Sequence, residues 1–138
     1  MKRDPLAVLW RVREAAVTEA SRDLAAARAR EMQQAERLDA YRQHIAQEQS
    51  EAVGEHVSGF ADWLPHARLQ RERLQAELQT AESHVRRLQQ ILVVRRIDSE
   101  AVGKAMQRQR SAAALIEATK EQAVMDEAAG RTGRRDLG

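Results

Sequence analysis

The chain has no cysteine. That excludes disulfides, thiolate metal sites and a cysteine nucleophile. It has only four aromatic residues, Trp10, Tyr41, Phe60 and Trp63, in 138 positions. A compact globular core usually leans on large aromatic and β-branched side chains, so such a core is not expected. There are two prolines and six glycines, too few to punctuate many short elements. No stretch approaches the roughly 20 apolar residues of a membrane span. The apolar run Leu6 to Trp10 is too short for a signal-peptide core and meets Arg11 and Arg13 at once. The expectation is a soluble, unexported chain forming a single domain, residues 1–138.

What is present is alanine, leucine, glutamine, glutamate and arginine. Apolar residues make up 43% and charged residues 32%, a balance that points to long helices or a coiled coil. Apolar periodicity argues against disorder. The net charge of +2 is unevenly spread. Residues 1–50 carry nine basic and eight acidic groups, whereas residues 66–110 carry ten and five. The middle of the chain would therefore attract an acidic partner.

Asp4-Pro5 is a helix start, with Asp as N-cap and Pro at the first helical position. A 3-4 spacing then runs from Leu6 through Trp10, Val17, Leu24, Leu38 and Ile45 to Ala52, and ten of its fourteen positions are apolar. Its weak middle, Glu31 and Gln34, is flanked by Met32 and Ala35, which allows the seam to drift. A second seam runs from Phe60 through Leu74, Val85, Leu92 and Ile116 to Glu127, apolar at fourteen of twenty positions. Gly103 lies inside it and costs roughly 1 kcal/mol relative to alanine. The pattern predicts helix 1 over 5–52, a turn over 53–59, helix 2 over 60–128 and a frayed tail over 129–138. Pro65 would open or kink helix 2. One break between two seams gives an all-α fold, an antiparallel two-helix coiled-coil hairpin. The helices would measure about 70 Å and about 95 Å. A fold at 57–59 puts Pro5 opposite about residue 112. Roughly 15 helical residues then overhang, with Ile116, Ala123, Val124 and Met125 seeking a partner.

Catalysis is not indicated. No P-loop, nucleophile elbow, HExxH or dinucleotide fingerprint occurs, and Gly103-Lys104 sits mid-helix without a glycine-rich loop. His44, His56, His66 and His84 form no i,i+3 or i,i+4 pair, so they read as solvated rather than metal-binding. Glu117 and Glu121 share a face, but a hairpin offers no enclosed pocket to tune them. No cofactor or metal is expected. The arginines at 68, 71, 73, 86, 87, 95 and 96 lack the interleaved aromatics of a single-strand binder. Glu72, Glu77 and Glu82 dilute them. Nucleic acid is disfavoured against an acidic protein partner or a plain solvated face.

"GEHVSGFADWLP", residues 54–65, concentrates two of the four aromatics beside the break. Phe60 and Trp63 either plug the hairpin end over Val53 and Val57 or form an exposed docking patch with Leu64 and Ala67.

Three stretches carry a family resemblance: "PLAVLWRVREAAVTEASRDLAAA", "FADWLPHARLQRERLQAELQTAE" and "QAVMDEAAGR". Together with the single break and the length, they resemble the flagellar export protein FliJ over about residues 5–132. "ILVVRRID", residues 91–98, departs from the family texture. The resemblance implies a stalk-like coiled coil of the type III protein export apparatus, without enzymatic activity. It would sit in a hexameric export ATPase and touch the membrane export gate, with export chaperones as further partners. It would be cytoplasmic and peripherally associated with the inner-membrane apparatus. By this resemblance Phe60, Trp63, Leu64 and Ala67 would meet the gate, and Arg11, Arg13, Ile116 and Ala123 the ATPase ring. An injectisome stalk protein, or a generic coiled-coil scaffold or dimerisation module, remains the alternative.

Overall fold

The structure is a computed structural model and describes residues 4–136. It is an all-α hairpin of two helices, α1 (Pro5–Glu51) and α2 (His56–Asp136), packed against each other. Asp4 caps α1: its Oδ1 accepts a hydrogen bond from the Leu6 backbone N–H at 3.0 Å. This satisfies one of the N–H groups that a helix start leaves unpaired.

The break closes within Ala52–Glu55. Gly54 has φ +63°, the left-handed conformation that lacks a steric penalty only for glycine. The turn is pinned by backbone bonds from Val53 N–H to Glu51 O at 2.9 Å and from His56 N–H to Val53 O at 3.3 Å. α2 thus begins at His56, ahead of the start expected at residue 60, and runs unbroken through Pro65. Proline fixes a helical φ, but it removes the hydrogen bond to the carbonyl of Ala61 and crowds that carbonyl with its ring, at a cost of about 3 kcal/mol.

Contacts divide the chain into two units. In the unit Ala15–Arg96 the buried apolar residues are Ala20, Leu24, Ala27, Leu38 and Ile45 on α1, and Ala67, Leu74, Val85 and Leu92 on α2. All nine fall on the two predicted seams. Ala20, Leu24, Ala27, Val85 and Leu92 form one cluster, with Val17 and Leu88 packed against it. The seam does not drift at its weak middle: Glu31 and Gln34 are half-buried, while Met32 and Ala35 are exposed. Gln34 Oε1 is buried without a hydrogen-bond partner, at a cost of about 1–3 kcal/mol. A polar residue at such a position fixes helix register at the expense of stability.

The other unit joins the residues up to Glu14 with those from Ile97 onward. Ser99 is buried, and its hydroxyl donates to Glu14 Oε1. A Cβ built on Gly103 would lie 3.9 Å from Trp10 Nε1, so the indole of α1 rests over the glycine. These two pairings lie about four residues earlier on α2 than a fold at 57–59, with Pro5 opposite residue 112, implies for Glu14 and Trp10. Residues 107–135 are exposed throughout, so the overhang is longer than the roughly 15 residues expected from the register.

The tail expected to fray over 129–138 is helical through Asp136; residues 137–138 lie outside the described residues. Local bonds run along this segment. Arg131 Nη2 meets Glu127 Oε1 at 2.7 Å, Gln122 donates to Asp126 at 3.1 Å, and Thr119 and Thr132 donate to carbonyls four residues back. Each i,i+4 side-chain pair adds about 0.2–0.5 kcal/mol to an otherwise unsupported helix.

The hairpin predicts a contact across 85 residues of sequence. Glu14→Cys combined with Ser99→Cys should oxidise to an intrachain disulfide, read as a monomer on a non-reducing gel. Bridging only between chains would mean that the helices pair in trans.

Candidate interaction site

Three rings meet at the start of α2. Trp63 lies edge-on to His44 of α1, with ring centroids 5.5 Å apart and planes at 85°. Phe60 stacks obliquely on Trp63 at 5.9 Å and 45°. Tyr41 extends the chain of rings to His44 at 6.0 Å. Helical spacing places these pairs: 41 and 44 are one turn apart on α1, and so are 60 and 63 on α2. Edge and offset geometries suit the ring quadrupole and contribute about 0.5–1.5 kcal/mol per pair beyond burial.

The rings are only half sunk. Phe60, Trp63 and Leu64 are each half-buried. Val53 and Val57, expected beneath the rings, are exposed instead; the rings rest on α1 through His44. Ala67 is 0% exposed, so it belongs to the interior of the hairpin and offers no surface to a partner. That corrects its place in the expected docking patch. A seam alanine reads alike whether it faces a partner or the facing helix.

His44 is the residue that sequence reasoning missed. Its contact with Trp63 depends on the register between helices, which no spacing within either helix reveals. His84 is also engaged locally, since Arg87 Nη2 donates to its Nδ1 at 2.8 Å. Among the described residues no group of three or more His, Asp or Glu side chains could hold a metal.

Beside the rings runs a groove of about 650 Å³, lined by His44, Glu48, Glu51, His56, Phe60 and Trp63 among others. No lysine or arginine lines it. The carboxylates and ring faces together suit a partner group that is apolar, cationic or both. Glu51 is held in place by Gln47 Nε2 at 2.7 Å.

The residues expected at an ATPase ring lie in the other unit. Arg11 is exposed and Arg13 half-buried at its seam position. Ile116 is 57% exposed, and Ala123 is exposed too. Leu115, Val124 and Met125 add further exposed apolar surface nearby in sequence. Leu115 lies off the 3-4 seam, which is why spacing alone passed over it.

The ring contacts predict measurable coupling. A double-mutant cycle of His44→Ala and Trp63→Ala should give an interaction energy of about 0.5–1.5 kcal/mol by denaturant unfolding. Strict additivity would mean that the rings do not interact in solution.

A family model described as "FliJ: Flagellar FliJ protein" matches residues 1–138, the whole chain. No curated protein and no solved structure matches. Among the described residues no helix is long and apolar enough to cross a membrane. The family is a structural component of flagellar protein export rather than an enzyme. With two packed helices and a family match from end to end, this chain belongs to the flagellar FliJ protein family.

Proposed function

We propose that this chain is a stalk of the flagellar type III export apparatus that inserts into the export ATPase hexamer and couples it to the export gate. The observation that carries this reading is the run 107–135, helical and exposed throughout. A helix that shows Leu115, Ile116, Val124 and Met125 to solvent gains from a partner that covers them, at about 25 cal/mol per Å² of apolar surface removed from water. The central opening of a ring is such a partner. Ile116 and Ala123 would touch its wall, with Arg11 and Arg13 beside the start of α1. Family membership supports the setting: the chain is a flagellar export-related protein. The site of action is the cytoplasmic face of the inner membrane, with export chaperones as further partners.

The gate would dock on Phe60, Trp63 and Leu64. Half-buried aromatics combine a fixed position with uncovered area, which is what interface anchors need. The same rings contribute to the hairpin through His44, so their two roles coexist.

Two experiments test the reading. Deleting residues 114–138 should return the partner ATPase to its unstimulated rate while circular dichroism still reports a helical hairpin. Undiminished stimulation would remove the overhang from the mechanism. Phe60→Ala should weaken gate binding by about thirtyfold, the equivalent of ~2 kcal/mol. A clear loss of melting temperature with unchanged gate affinity would leave the rings as packing alone.

A further inference from the structure

Residues 91–97 put β-branched side chains on solvent faces of α2. Val93 and Val94 are exposed, Val94 at 53%, and Ile91 is exposed as well. Branching at Cβ restricts side-chain freedom in a helix, so these residues do not serve local helix stability. The seam here is served by Leu92, which is buried. The outward residues therefore have no role in the hairpin's interior.

A shallow groove of about 250 Å³ lies on this outer face, lined by Arg87, Gln90, Ile91, Val94 and Arg95. Ile91 stands midway between the two arginines, four residues from each. The arginines are thus two helical turns apart, ~12 Å along the axis. Neither holds a carboxylate of its own chain: Arg131–Glu127 is the ion pair found among the described residues. Arg87 reaches only His84.

We propose that this groove docks an acidic amphipathic helix of another protein through a Glu-Xaa3-Leu-Xaa3-Glu pattern. The match is geometric. Such a helix carries its carboxylates the same two turns apart, with an aliphatic side chain midway on the same face. Laid alongside α2, it sets each carboxylate at a guanidinium, where two-point hydrogen bonding is available. Its leucine covers Ile91 and Val94. A second copy of this chain does not fit. Nowhere in the sequence do acidic residues stand four positions before and four after a leucine, isoleucine, valine or methionine. The surface is separate from Phe60 and Trp63 and does not depend on the gate or the ATPase.

The test uses the full chain and a stapled helical peptide bearing Glu-Xaa3-Leu-Xaa3-Glu. A control peptide of equal composition and charge has its carboxylates moved to the opposite face. The patterned peptide should bind at least about tenfold more tightly by fluorescence anisotropy. Arg87→Glu with Arg95→Glu should abolish that binding and create affinity for the corresponding Lys-Xaa3-Leu-Xaa3-Lys peptide. Ile91→Gln should weaken binding without moving the melting temperature. Equal affinity for the two acidic peptides overturns the proposal. So does binding that survives the double charge reversal. If anionic vesicles or duplex DNA bind through these arginines while the patterned peptide does not, the face is a general anion surface and the proposal fails.

Discussion

Leu24, Leu38 and Ile45 leave water only because α2 lies against α1, and Leu74, Val85 and Leu92 only because α1 lies against α2. Neither helix can bury its stripe alone. A burial of this kind stabilises by roughly 1.5–3 kcal/mol per large aliphatic side chain. A hairpin presents only one line of such positions. Alanines at 20, 27 and 67 share that line and are themselves buried, and small side chains let helices approach closely. The remaining features adjust to this seam. Gly54 lets the chain reverse, and Ser99 uses its hydroxyl on Glu14 because it cannot leave the interior.

The seam was legible in the sequence because a helix repeats every 3.6 residues and burial repeats with it. Asp4-Pro5 was legible because capping chemistry is local. Register was not. It depends on how tightly the turn closes, and a difference of a few residues there slides every cross-helix pair. The same cause hid the contact of His44 with Trp63 and the full length of the exposed segment. Ala67 was placed on the correct stripe and assigned to the wrong neighbour, since a stripe alone does not say which surface covers it. The end of α2 was misplaced for another reason. The tail lacks apolar periodicity, but a helix can continue without an apolar face, and α2 runs through Gly130 and Gly133 to Asp136.

A protein with one seam has much more surface than interior, so its outward faces can differ along the chain. The start of α2 offers rings beside carboxylates. Farther along the same helix, arginines border aliphatic side chains. The last stretch shows apolar residues supported only by pairs within the helix. Each face is specified by a handful of neighbouring residues and leaves the seam untouched. Surfaces can therefore change independently of the fold. The physical limit is exposure, since every apolar residue turned outward also favours nonspecific association.

The turn at Gly54 also governs how the chain finds its structure. Contacts near the reversal close short loops, whereas the bond between Glu14 and Ser99 spans 85 residues. Loop-closure entropy rises with the length enclosed, so pairing is cheapest at the turn and becomes affordable farther out only as each layer of the seam brings the next together. Folding should then advance like a zip fastener from Gly54 toward Asp4, with helix elongation fast and seam closure setting the pace. On a ribosome the order has a temporal cost. All of α1 emerges before the segment that covers it, and its apolar stripe waits longest where its partner lies farthest along the message, around Trp10.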